Sequence, residues 1–108
     1  MKKIATILLL MAAINACKKT DSTNPEAAVS KTILNVSYGT DPAQVMDVYL
    51  PGNRSTATTN VMVMIHGGGW TGGDKRAARE INIGNNLALN GYVGLSINYV
   101  LAKPGKPT

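Results

Sequence analysis

The stretch MVMIHGGGWTGGDK, Met62 to Lys75, decides how the chain folds. An apolar run ends in the single histidine of the chain, His66. Gly67, Gly68 and Gly69 follow at once, then Trp70, a second glycine pair and Asp74. Val61–Ile65 is continuously apolar and bounded by turn residues, which predicts a strand covered on both faces, as in a sheet with helices on each side. Ala77–Gly91 places Ala77, Ile81, Gly84 and Ala88 at helical spacing with Leu87 beside them, which predicts a helix. Asp74 is its expected N-cap and Gly91 its expected C′ residue. Tyr92–Val100 is again mostly apolar and predicts a further strand. Strand, helix, strand in that order predicts two parallel strands joined by a right-handed crossover.

Upstream, Thr32–Tyr38 alternates, with Leu34, Val36 and Tyr38 on one face and Asn35 and Ser37 on the other, the pattern of a half-buried strand. Gly39–Pro42 carries turn chemistry. Val45–Leu50 is a second strand, stopped by Pro51 and Gly52, and the two strands are expected to pair as an antiparallel hairpin. Gly52–Asn60 reads as a surface loop. The fold class is therefore α/β: an antiparallel hairpin followed by a parallel strand–helix–strand unit.

The first residues have another character. MKKIATILLLMAAINAC begins with two lysines, continues apolar from Ile4 to Ile14 and ends in a small residue before Cys17. This is the layout of a secretory signal over residues 1–16, too short in its apolar part to span a bilayer as a stable anchor. Ile14-Asn15-Ala16-Cys17 resembles the lipobox of bacterial lipoproteins. The resemblance implies an exported protein held on a bacterial membrane through a lipidated Cys17, since two or more acyl chains anchor stably where one does not. Residues 17–31 are polar and aperiodic, as in a flexible tether, and residues 32–108 form the domain portion. With one cysteine, no intrachain disulfide is possible.

The net charge of +5 invites a nucleic-acid reading, but its distribution opposes one. Between Thr32 and Ala102 the basic residues Arg54, Lys75, Arg76 and Arg79 balance Asp41, Asp47, Asp74 and Glu80. The excess lies in the flanking segments, whereas a nucleic-acid binder carries a basic face on its folded body. Lys18 and Lys19 beside Cys17 suit an anionic membrane surface.

A glycine-rich loop between strand and helix cradles a phosphate or presents N–H groups to an oxyanion. The phosphate readings fail. A P-loop needs Gly-Lys-Ser/Thr, and Gly73 is followed by Asp74-Lys75. Gly67 to Gly72 matches Gly-x-Gly-x-x-Gly literally, but the acidic residue expected about 20 residues on is missing, and Asp74 puts a negative charge where phosphate would sit. The oxyanion reading accounts for more. Backbone donors must approach the reacting carbonyl closely and in backbone conformations that a Cβ disfavours, and glycine allows both.

HGGGW (His66–Trp70) resembles the oxyanion-loop motif of esterases and lipases of the α/β-hydrolase fold. DPAQVMDVYLP (Asp41–Pro51) resembles the preceding strand of the carboxylesterases, and GLSINYVLA (Gly94–Ala102) their next strand, with Val100 where arginine is usual. The resemblance covers nearly all of Thr32–Ala102 and extends to bacterial esterases of the acetyl-xylan and feruloyl types. It implies a serine carboxylesterase whose oxyanion hole draws on Gly68 first, with Gly67 or Gly69 second, and on the N–H after the nucleophile. It makes His66 a loop anchor and not the base, because the family's triad histidine comes last in the chain. Trp70 is expected either to pack or to line the acyl or alcohol pocket. The substrate would be a small-molecule or carbohydrate-linked ester, with no cofactor, metal or nucleic acid required.

Gly-x-Ser-x-Gly and the later acid and histidine are absent. Gly94-Leu95-Ser96-Ile97-Asn98 is nearest, but Ser96 lies inside a strand pattern. The chain is therefore expected to be the first part of a hydrolase and inactive alone. A peptidase of the same fold and a small non-catalytic binding lipoprotein are the alternatives.

Overall fold

The computed structural model describes residues 29–105. The signal, Cys17 and nearly all of the tether lie outside that range. The elements in chain order are β1 (Lys31–Ser37), β2 (Val45–Leu50), β3 (Val61–Ile65), α1 (Ala78–Leu89) and β4 (Val93–Ile97). They form one four-stranded sheet in the order β1-β2-β4-β3. The hairpin pairs antiparallel as expected, with Lys31 opposite Leu50. β3 and β4 run parallel in the register Val61–Val93 to Ile65–Ile97. The β4 strand enters between β2 and β3 and pairs antiparallel with β2, Asp47 facing Ser96.

Register divides the side chains between two faces. Asp47, Tyr49, Gly94 and Ser96 point towards α1, together with Met62 and Met64. Two glycines let the helix settle closely on this face. A Cβ at Gly84 would run into the Tyr49 ring, and one at Gly94 would press on Leu87. The opposite face is aliphatic: Ile33, Val36, Met46, Val48, Leu50, Val93, Leu95, Ile97, Val61, Val63 and Ile65. Val48 and Tyr49 are the buried hydrophobic residues, one on each face of the strand flanked on both sides.

Four expectations are corrected. First, among the described residues β3 is not covered on both faces. It is an edge strand of the sheet they form, and Val61, Met62, Val63 and Ile65 are exposed because α1 packs over β4 and β2 instead. Second, the alternation read over Thr32–Tyr38 is broken by an irregularity between Ile33 and Val36, where three steps on β1 face two on β2. An extra residue of this kind re-aims the side chains beyond it. Ile33 and Val36 share a face, Asn35 takes φ 57°, and Leu34 and Tyr38 are exposed. Third, Asp74 does not cap the helix. The N-cap position is Ala77, without a side-chain cap, while the Asp74 carboxylate accepts the Arg76 N–H at 2.7 Å in a turn ahead of the helix. Fourth, the last strand ends at Ile97 rather than Val100, because Asn98, Tyr99 and Ala102 are bonded to the segment between β3 and α1. The C-terminal end of α1 is as expected: Gly91 follows the Asn90 cap at φ 82°.

Candidate active site

The glycine loop starts where β3 stops. Gly68 has φ 132°, Gly69 59°, Trp70 62° and Gly73 99°, a run of left-handed backbone that glycine adopts freely and a bulky residue resists. The Gly68 carbonyl accepts the N–H groups of Thr71 and Gly72, both at 3.1 Å. The loop thus closes on itself, backbone against backbone. A Cβ on Gly68 would overlap the Gly72 carbonyl, and one on Gly73 would overlap the Gly67 carbonyl and the His66 ring. Among the described residues, no acceptor is bonded to the N–H of Gly67, Gly68 or Gly69. The Trp70 side chain is 75 % exposed.

The segment after β4 grips this loop. His66 is buried and stacks on Tyr99 with ring centroids 4.6 Å apart and planes 18° from parallel. Its Nδ1 lies 2.8 Å from the Gly67 carbonyl. A carbonyl only accepts, so Nδ1 carries the proton in this contact. The Tyr99 hydroxyl donates to the His66 carbonyl at 3.1 Å, and the Ala102 N–H to the Trp70 carbonyl at 2.8 Å. Asn98 reaches the far limb. Its Oδ1 accepts the Lys75 N–H at 2.6 Å and its Nδ2 donates to the Asp74 carboxylate at 3.0 Å. That amide donor, with the Arg76 N–H, holds the Asp74 carboxyl below the usual carboxylate range. Tyr38 in turn donates its hydroxyl to the Asn98 carbonyl.

Beneath the loop lies a buried polar cluster that sequence reasoning missed. The Lys75 ammonium donates to Asp47 Oδ1 at 2.6 Å and to Asn35 Oδ1 at 2.9 Å. Lys75 is 2 % exposed and Asp47 0 %. The Asn35 N–H donates to the same Asp47 oxygen at 2.9 Å, a bond made possible by the irregularity in β1. The signal in the sequence was Asp47 itself, one carboxylate inside the apolar run VMDVYL. A charge in such a place needs a partner, and nothing local says which. Burial, with the nearby Asp47 charge, also pushes the Tyr49 hydroxyl above its ordinary range.

Ser96 sits inside β4, buried, with its hydroxyl donating to the Lys75 carbonyl at 2.9 Å. It lies beneath the loop at 1 % exposure. The site is one of hydrogen-bond donors. Its loop is closed by backbone hydrogen bonds, and His66 is bonded to that loop and to Tyr99 rather than to a side-chain hydroxyl acceptor. Among the described residues no cluster of three or more histidine, cysteine, aspartate or glutamate side chains is placed to hold a metal ion.

A mixed sheet with a glycine loop between β3 and its helix, and a β4 exit that clamps that loop, defines part of an α/β-hydrolase fold of the carboxylesterase type. Residues 46–106, more than half of the chain, match the BD-FAE family model, and the chain belongs to that family. It is 39 % identical over 67 residues to Esterase LipC of Mycobacterium tuberculosis, a match covering 62 % of this chain and 16 % of LipC. Among solved structures it resembles Esterase B from Lactobacillus Rhamnosis, at 34 % identity and a TM-score of 0.55, over 67 % of this chain and 23 % of that one. It also resembles a truncated carbohydrate esterase from gut microbiota, at 27 % identity and a TM-score of 0.53, over 70 % of this chain and 27 % of that one. The chain thus spans about a sixth of the length of the curated relative it matches.

Proposed function

We propose that this chain supplies the oxyanion-binding segment of a serine carboxylic-ester hydrolase whose nucleophile, acid and base lie outside residues 1–108. One observation carries the reading: among the described residues the N–H groups of Gly67, Gly68 and Gly69 have no acceptor, on a loop whose Gly67 and Gly68 carbonyls are already engaged. When a carbonyl carbon is attacked, its oxygen becomes an anion. Donors already in place stabilise that charge without reorganising, at about 3–4 kcal/mol for each donor. Gly68 is the preferred donor, since its own carbonyl closes the loop by accepting the Thr71 and Gly72 N–H groups, and Gly67 or Gly69 is the second. The esterase names of the relatives support an ester bond as the target, and the carbohydrate esterase among them supports a carbohydrate-linked ester as one substrate class. The exposed Trp70 beside the donors would form a wall of that pocket. Export and attachment through a lipidated Cys17 complete the proposal. They predict that Cys17→Ala abolishes palmitate labelling and membrane partitioning in a bacterium.

The test uses the full-length enzyme with 15N-labelled glycine and a phosphonate ester that mimics the tetrahedral intermediate. Wild type should hydrolyse p-nitrophenyl acetate. In the phosphonate adduct the Gly68 amide proton should shift downfield, with Gly67 or Gly69 following. Hydrolysis without a shift at any of the three would remove the loop from the oxyanion site. No hydrolysis and no phosphonate adduct would remove the esterase reading itself.

A further inference from the structure

We propose that the buried Asp47–Lys75 pair, braced by Asn35, is a positioning device that sets the oxyanion loop for catalysis, with Lys75 as its positioning residue. The inference rests on the esterase reading and assigns work to residues that touch no substrate. A buried ion pair is weak evidence for stability, because apolar side chains of similar volume often serve the fold as well or better. This pair is also poorly arranged for stability alone. Among the described residues, Asp47 Oδ2 is buried without a hydrogen-bond partner, and only the Arg76 guanidinium approaches it, at 3.6 Å. An orphaned buried oxygen calls for an explanation other than folding energy.

The explanation lies in where Lys75 stands. Its main chain is tied to β4 and its exit on both sides, N–H to Asn98 Oδ1 and carbonyl to the Ser96 hydroxyl. Its side chain crosses to β2 and β1. Two residues earlier, Gly73 lies against the Gly67 carbonyl and the His66 ring, and Gly72 donates to the Gly68 carbonyl. The limb Gly72–Gly73 therefore inherits its place from Lys75 at one end and delivers it to Gly67 and Gly68 at the other. If Lys75 lost its ammonium, Asp47 would be left as a buried charge, with Arg76 the nearest cation and the next residue in the chain. Arg76 would be drawn inward and would turn the main chain that carries Gly73. Catalytic donors tolerate little of this, since a shift of about 1 Å in a positioned group can cost on the order of 10²-fold in rate.

The experiment separates positioning from folding in the full-length enzyme. Lys75→Met alone should lower the melting midpoint, and kcat with it. Asp47→Leu/Lys75→Met removes both charges at similar volume and should restore most of the midpoint. Its kcat should stay roughly 10²-fold below wild type while KM changes little. Asn35→Gly keeps the left-handed backbone and the N–H to Asp47 but deletes the acceptor for Lys75. It should fold and lose about 5-fold in kcat, the worth of a single hydrogen bond. Amide hydrogen exchange of Thr71 and Gly72, the loop N–H groups bonded to the Gly68 carbonyl, should speed up in both variants, a readout independent of turnover. Wild-type kcat and unchanged exchange in the charge-free double variant would overturn the proposal. If that variant does not fold, unchanged kcat and exchange in Asn35→Gly would overturn it. Faster loop exchange in a wild-type background that hydrolyses no ester would leave the positioning role standing and sink the esterase reading.

Discussion

At Gly68 and Gly69 two neighbouring glycines hold their places for different reasons, and substitution tells them apart. Gly69 is left-handed at φ 59° with open space where a Cβ would stand. Alanine there incurs only the left-handed penalty, roughly 1–2 kcal/mol, and keeps the N–H where it is. Gly69→Ala should lower the melting midpoint by a few degrees and hold kcat within a few-fold. At Gly68 a Cβ meets the Gly72 carbonyl as well as a forbidden φ, so Gly68→Ala must open the loop. It should lower the midpoint and kcat together, by about 10²-fold or more in rate. Steady-state kinetics and thermal unfolding on the same pair of variants check this, and a Gly68→Ala enzyme with wild-type kcat would contradict it. Asp74 offers a pH test at the same scale. Its folded pKa is depressed, by the Asn98 amide first and the Arg76 N–H second. The contribution to stability is therefore present above the ordinary carboxylate range and is lost as pH falls through the lower folded value. Asn98→Ala should move the Asp74 titration upward in a carboxyl-carbon NMR experiment. An unmoved titration would mean that Asn98 does not hold Asp74 in solution.

Among the elements, α1 shows packing reversing a propensity. Replacing a mid-helix glycine with alanine normally stabilises a helix by about 0.5–1 kcal/mol. Gly84 is an exception, because a Cβ there enters the ring of Tyr49, itself buried between helix and sheet. Gly84→Ala should destabilise by about 1–3 kcal/mol, the range for overpacking a filled site. Urea unfolding gives the sign directly, and a stabilised variant would show that Tyr49 yields more easily than its burial implies. The same contact explains why the expected stripe of Ala77, Ile81, Gly84 and Ala88 is only partly realised. The helix turns Glu80 and Gly84 inward and leaves Ala77 exposed, because its closest approach is at a glycine rather than at a ridge of larger side chains.

For the molecule as a whole, the described residues form a sheet with a helix on one face and, on the other, aliphatic side chains of which Ile33, Val61, Val63 and Ile65 are exposed. Its β3 edge is apolar and uncharged, with Ile65 69 % exposed. Edges of that kind pair with other chains unless charge or cover prevents it. Residues 18–108 prepared alone should therefore self-associate at micromolar concentration, as read by analytical ultracentrifugation. Ile65→Lys should shift the distribution towards monomer without changing the far-ultraviolet circular dichroism. A wild-type piece that is monomeric at all concentrations would show that this edge is shielded in solution.

Several features were readable in the residues themselves. Continuous apolar runs, helical spacing within Ala77–Gly91, the glycine at the helix end and the cluster around His66 are local patterns. Local sterics and hydrophobic periodicity are enough to specify a strand, a helix, a tight loop and their order, and through them the family. The tertiary structure alone decided which elements became neighbours. It put β4 between β2 and β3, so that among the described residues β3 lies at an edge and is not a covered strand. It brought Lys75 to Asp47 and Asn35 across 28 and 40 residues of chain, and Asn98 to both Lys75 and Asp74. Such pairings depend on burial, which removes water and obliges each charge and amide to find its partner inside the protein. Burial is set by how the sheet is assembled, and no spacing along the chain encodes it.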